Sequence, residues 1–449
     1  MRVVIIGGGA SGVLLSAHCL RRDPDTAVTI VERRQDLGAG AAYATNHPRH
    51  LLNVRASNMS AFPDDPEHFS RWLRHESASA DPDHADDACF APRSLYRNYL
   101  AGLLAPHLGS GHLSIRHGEA RRVLDSRREV VVELDDGGHL SGDVAVVATG
   151  NEGPSLPAEP WRFDGWSTIM PGDVAPEAPV LVVGTGLTMV DRVMALLHLG
   201  HRGPITAVSR HGLQPQSHRL VDAEAVDIAD VPVGASIRHL TRWLRREAEK
   251  LRSQGGDWRS TIDGLRPHTQ AIWRHLAPED RRRFLRHLRT FWDVHRHRIA
   301  PSAAQALSQA QARGQLSIVA GRVVEFRPTP GGVEGLIVRR EGGRPEVVRA
   351  TVVFECRGRS ADVTRTENPV LQAMLADGIA RPDPLKLGLD VTEQFAVIGQ
   401  DGTASPRLYG LGPVTAGVLW EVVAVPDIRL QAEQLAATLR MAAINQRGG

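Results

Sequence analysis

Two strand–glycine–helix units constrain this chain more than any other feature. Val3-Val4-Ile5-Ile6 runs into Gly7-Gly8-Gly9-Ala10-Ser11-Gly12 and then an apolar helical pattern to about Arg22. Val180-Leu181-Val182-Val183 runs in the same way into Gly184-Thr185-Gly186-Leu187-Thr188-Met189. A buried strand, a glycine turn and a helix start let backbone N–H groups and the helix dipole hold a pyrophosphate. One copy is a weak signal. Two copies predict an α/β fold with two Rossmann-like dinucleotide-binding domains, hence two dinucleotides facing each other and a flavoprotein reduced by a nicotinamide.

The strand Ala27–Val31 ends at Glu32, where a ribose hydroxyl pair is usually held; a surface Glu at a strand end is the plainer alternative. The corresponding strand of the second unit, Ile205–Ser209, ends instead in Ser209-Arg210-His211. A carboxylate there would repel a 2′-phosphate, whereas Ser and Arg would bind one. FAD is therefore expected in the first unit and NADPH in the second, although Arg210 also reads as one more surface Arg in an Arg-rich chain. Met189 stands where the third glycine belongs, so helix-to-strand packing is expected to differ there.

The plan of strand, turn, helix, strand, meander, strand and glycine occurs twice. In the first half it closes on Thr149-Gly150, in the second on Arg357-Gly358. Between 236 and 314 the composition shifts to Arg, Trp, His and Leu at helical spacing, with a turn near Pro278 and a stop at Pro301. This predicts three or four inserted helices, serving as a lid, a substrate wall or a homo-oligomer face. The expected domains are 1–165 with 355–449 for FAD and 175–354 for NADPH. A long helix is expected from about Ile428, and Asp81–Asp87 reads as an acidic surface loop without chemistry.

The 449 residues suffice for two or three domains, and the net charge of +2 leaves no nucleic-acid footprint. Cys19, Cys89 and Cys356 contain no Cys-x-x-Cys, which points to a reducing, cytoplasmic setting and away from a neighbouring-residue redox disulfide. No apolar run spans a membrane. His295 and His297 lack a completing ligand set, so no metal is expected. No nucleophile elbow is present, and no catalytic acid or base stands out. The chemistry falls to the cofactors.

Asn53, Asn58 and Ser60, with Met59 and Phe62, suit the polar and packing contacts of a flavin ring; an ordinary polar loop has the same pattern. Arg296 and His297 are candidates for an anionic substrate group or for a merely solvated face.

Five stretches carry a family resemblance: HLLNVRASNMSAFPDDPEHFSRWL (50–73), VLVVGTGLTMVD (180–191), SRHGLQPQSHR (209–219), RRRFLRHLRTFWDVHRHRIAP (281–301) and LWEVVAVPDIRLQAEQLA (419–436). The chain resembles the YdhS-like FAD/NAD(P)-binding proteins, which are similar to class B flavin monooxygenases, including enzymes that N-hydroxylate amines and amino acids. The resemblance implies a glutathione-reductase/flavin-monooxygenase-like fold. It places FAD at Gly7, Gly9, Gly12 and Glu32, and NADPH at Gly184, Gly186, Ser209 and Arg210. Ala10, Ser11, Arg33, Tyr43, Asn53, Thr149, Gly150 and Gly412 complete the expected FAD set, and Thr185 the NADPH set. The Baeyer–Villiger signature is absent, for Trp161–Trp166 lacks its His, and Gly412-Pro413 replaces the common Gly-Asp ending. The resulting expectation is an N-hydroxylating monooxygenase that uses O₂ through a C4a-hydroperoxyflavin on a small amine or amino acid. The alternatives are an NADPH-dependent flavin reductase serving an unknown acceptor and a non-enzymatic cofactor sensor.

Overall fold

The computed structural model describes the chain except residues 78–87, 127, 154–155, 167–173, 222–224, 359–361 and 448–449. The acidic stretch Asp81–Asp87 thus lies outside the described residues. The chain divides into two compact units: Met1–Asn46, Val54–Glu152 and Ser360–Gly449 form one, and His47–Asn53 with Gly153–Arg359 the other.

In the first unit Arg2–Ile6 lies between Ala27–Glu32 and Val144–Val147, parallel to both. Leu113–His117 extends one side in parallel; Ala404–Gly410 extends the other, with Ala396–Ile398 antiparallel at that edge. Val3, Val4, Ile5 and Ile6 are all buried, as are Val144–Val147. Continuous Val/Ile runs of this kind are what a parallel strand covered on both faces requires. The helix Ala10–Arg22 packs against Arg93–Leu104 and against the last helix, Val425–Arg447. Ala120–Asp125, Val130–Leu134 and His139–Gly142 form the antiparallel meander.

In the second unit Arg162–Asp164, Val352–Glu355, Val180–Val183, Ile205–Ser209 and the start of Leu316–Thr329 run parallel. Gly332–Arg339 and Glu346–Ala350 complete the sheet as an antiparallel hairpin. The division differs from the expected bounds at three stretches, for His47–Asn53 also falls in the second unit. Arg162–Asp164 pairs with Val353–Glu355, so residues 153–165 and 355–359 belong to the second unit rather than the first.

The insertion holds six α-helical segments, not three or four: Ile237–Ser253, Trp258–Leu265, Thr269–His275, Pro278–Arg283, Arg289–Arg296 and Pro301–Ala312. Helices end at His275 and Arg296, just before Pro278 and Pro301, and each proline then occupies the first turn of the next helix, where its missing N–H has no intrahelical role. The Ser236 and Asp257 side chains cap the first two helices, accepting from His239 N and Arg259 N.

Candidate dinucleotide sites

The first glycine turn is built by close approach. Gly7 has φ +114°, and a Cβ there would lie 2.4 Å from the Ala148 carbonyl oxygen. A Cβ on Gly12 would lie 1.9 Å from the Gly7 carbonyl oxygen. Both positions exclude any side chain, and together they bring the helix onto its strand. Gly9 caps the helix without a side-chain hydrogen bond. The first intrahelical bond runs from Val13 N to Gly9 O, so the amides of Ala10, Ser11 and Gly12 point out of the helix end. An anion is the natural partner of such an end.

Glu32 does more than a ribose ligand must. Its Oε2 accepts from Gly8 N at 2.7 Å and its Oε1 from Arg34 N at 2.9 Å, at 8% exposure. The carboxylate therefore ties the glycine turn to the second strand and keeps lone pairs for hydroxyl donors. Arg33 points elsewhere: it is paired with Glu119 at 3.1 Å. The buried Thr149 Oγ1 has no partner among the described residues, and Gly150 beside it has φ +76°. A buried hydroxyl rarely stays unsatisfied, so Thr149 suits a ligand's polar group.

The C-terminal segment meets this turn. Gly412, at φ +74°, comes so near that a Cβ would lie 2.4 Å from Ser11 Oγ. Its N–H donates to Gln431 Oε1 at 2.8 Å, and Gln431 Nε2 donates to Thr415 Oγ1. Gln431 is a buried polar residue on an otherwise apolar helix face, and nothing in the sequence around it marks this role.

The loop expected at the flavin splits. Met59 is buried and its carbonyl accepts from Tyr96. The Ser60 hydroxyl is committed to the turn, where it contacts Phe62 O and Asp65 O and accepts from Phe62 N. Asn58 is exposed; its carbonyl and that of Ser60 accept from Arg429. Asn53 packs with the second unit, its main-chain oxygen 3.0 Å from His218 Nε2. Tyr43 packs on Tyr96, and burial pushes its phenol up to about 12.

The second turn repeats the first. Gly184 has φ +115°, and its Cβ would lie 2.3 Å from the Cys356 carbonyl oxygen. Gly186 caps Leu187–His198 without a side-chain bond. A Cβ on Gly186 would enter open space, so nothing in the protein demands glycine there. Met189 is fully buried where Gly12 stands in the first unit. Glu355 is buried beside this turn and paired with Arg162 and Arg357, anchoring the strand end that carries Cys356.

Ser209 mirrors Glu32: Ser209 to Thr185 and Glu32 to Gly8 both span 24 residues. Thr185 Oγ1 donates to Leu213 O, so the Ser209 hydroxyl must donate to Thr185, 2.7 Å away. Ser209 Oγ also accepts from Gly212 N at 3.1 Å. Its one hydrogen is thus used, and it is a turn tie rather than a free donor to phosphate. Arg210 is exposed and available.

Against these geometries the comparisons fall into place. Residues 4–152 match a family described as FAD-NAD(P)-binding. No curated protein matches the chain significantly. Ornithine N-hydroxylase from Kutzneria sp. 744, with reduced FAD, NADP⁺ and L-ornithine, superposes with TM-score 0.68 at 13% identity, covering 98% of both chains. L-lysine 6-monooxygenase from Pseudomonas syringae gives 0.67 at 15%, over 98% of this chain and 99% of that one. The FAD-bound cadaverine monooxygenase of Erwinia amylovora gives 0.67 at 13%, over 98% and 95%. At such identity the likeness shows a shared fold.

In the insertion, Arg296 is buried rather than displayed on a solvated face, while His297 lies 4.0 Å from Asp293. Among the described residues no cluster of three or more His, Cys, Asp or Glu could hold a metal. No described helix is long and apolar enough to cross a membrane.

The cysteines differ in reach. Burial pushes the Cys19 thiol up to about 12 and raises Cys356 further, whereas Cys89 is half-buried. Alkylation of the native protein at pH 8 is expected to label Cys89 and spare the other two, because the thiolate is the reactive form. Peptide mapping checks this; rapid labelling of Cys356 would contradict it.

Proposed function

We propose that this chain is an FAD- and NADPH-dependent monooxygenase that hydroxylates the nitrogen of a small amine or amino acid. FAD lies in the first unit and NADPH in the second. The observation that carries the reading is the asymmetry between two otherwise matching cradles. One strand end presents the Glu32 carboxylate, suited to a free ribose; the other presents Arg210 and no acid, suited to a 2′-phosphate. The full-length fold likeness to three amine N-hydroxylases supports the choice of reaction. When bound, the cofactors supply hydride transfer and O₂ activation.

The chain's own residues bind and orient. The outward amides at Ala10–Gly12 and Leu187–Met189 receive the two pyrophosphates. Glu32 accepts from the FAD ribose while holding the turn. Thr149, Gly150 and Gly412 shape the approach to the first cradle.

The test is turnover under ¹⁸O₂ with NADPH and ornithine, lysine or cadaverine. A product amine heavier by one ¹⁸O atom is expected with at least one of them. NADPH oxidation that yields only hydrogen peroxide with every amine, or reduces an added acceptor without labelled product, would replace this reading with the reductase one.

A further inference from the structure

The adenosine end of the second cradle draws on a residue far away in sequence. Ser209 is in register with Ala320 on the neighbouring strand. The Ala320 carbonyl accepts from Arg340 N at 2.8 Å. Gly212, at φ +62°, rests on the same alanine, where an added Cβ would lie 3.1 Å from Ala320 Cβ. Arg210-His211-Gly212 and Arg340 therefore meet beside the C-terminal end of Ile205–Ser209, just past the strand end where the adenosine ribose is held in this fold.

The charges at that strand end are unbalanced. Arg210 and Arg340 are exposed, and neither guanidinium has a carboxylate partner among the described residues. Three arginines of the adjoining strands are paired, Arg339 with Glu346, Arg349 with Glu334 and Arg327 with Glu325, whereas exposed Arg322 and Arg344 are not among the described residues. His211 lies with them, its ring 5.2 Å from that of Phe291 and its Nδ1 buried without a partner among the described residues. Burial holds the His211 pKa down, and the Arg340 and Arg210 charges push it the same way. Two unpaired guanidinium groups about a neutral imidazole form a site for a doubly charged phosphate monoester.

We propose that Arg340, acting with Arg210, grips the 2′-phosphate of NADPH and sets the preference for NADPH over NADH, with Ser209 holding only the turn. This rests on the reading that the second unit binds NADPH.

The test is calorimetric titration of the full-length protein, as purified, with adenosine 2′,5′-bisphosphate and with 5′-AMP, which lacks the 2′-phosphate. Wild type should prefer the bisphosphate. Arg340→Ala should weaken the bisphosphate roughly tenfold and 5′-AMP by less than about twofold. Arg340→Lys should recover part of the loss. Unchanged 5′-AMP affinity reports an intact fold, and Arg340→Gln replaces the alanine variant if that one does not fold. A wild-type preference that survives Arg340→Ala and Arg340→Gln undiminished overturns the role of Arg340 and leaves the NADPH reading standing. Equal wild-type affinity for both nucleotides overturns both.

Discussion

Gly12→Ala is expected to empty the first cradle. The new Cβ would lie 1.9 Å from the Gly7 carbonyl oxygen and 3.2 Å from Ile5 Cγ2, against backbone on one side and a buried strand on the other. Neither neighbour is a flexible side-chain end, so the helix Ala10–Arg22 must move. That helix packs on Val425–Arg447, and the latter carries the Gln431 that holds Gly412 against Ser11. Displacement at Gly12 is thereby passed to the Ser11–Gly412 contact. Overpacking of this sort costs about 3 kcal/mol, a large share of the stability of an ordinary domain. After desalting, the variant should retain less than about a tenth of the wild-type flavin, and its urea midpoint should fall. Stoichiometric flavin with an unchanged midpoint would show that the helix end does not hold the cofactor.

Gly186→Ala should act in the opposite manner, on binding without folding. Gly186 has φ −84° and ψ −163°, which alanine adopts freely, and its Cβ would meet nothing. The methyl group would occupy the space at the helix end through which a pyrophosphate reaches the amides of Leu187–Met189. Loss of one charge-assisted hydrogen bond is worth about 2 kcal/mol, or roughly thirtyfold in affinity. NADP⁺ binding, followed by calorimetry, should weaken by that factor while the thermal midpoint and flavin content stay at wild-type values. Unaltered NADP⁺ affinity would remove the second turn from the site.

Much of this was legible in the sequence, because the information is local. Gly7, Gly12 and Gly184 are required by contacts made within one strand–turn–helix unit, and Glu32 follows at a spacing that the fold itself sets. The illegible parts depend on distant partners. Arg340 reaches the second cradle through Ala320, and Gly412 reaches the first through a helix that begins at Val425. No short pattern encodes either meeting. The three-residue strand Arg162–Asp164 is too short for any periodicity to reveal it. A hydroxyl that ties a turn, as those of Ser60 and Ser209 do, has the same sequence appearance as one offered to a ligand. The insertion holds more helices than its prolines announce, because it also breaks between Ser253 and Trp258, at Arg266–His268 and at Phe284–Leu288.

The most direct measurement is the flavin content of the purified protein, followed by anaerobic titration with NADPH and, separately, NADH. One FAD per chain, reduced by one equivalent of NADPH and far more slowly by NADH, is the expected result. A protein that binds no flavin, or whose flavin NADPH fails to reduce, would contradict the assignment of two different dinucleotides to the two cradles.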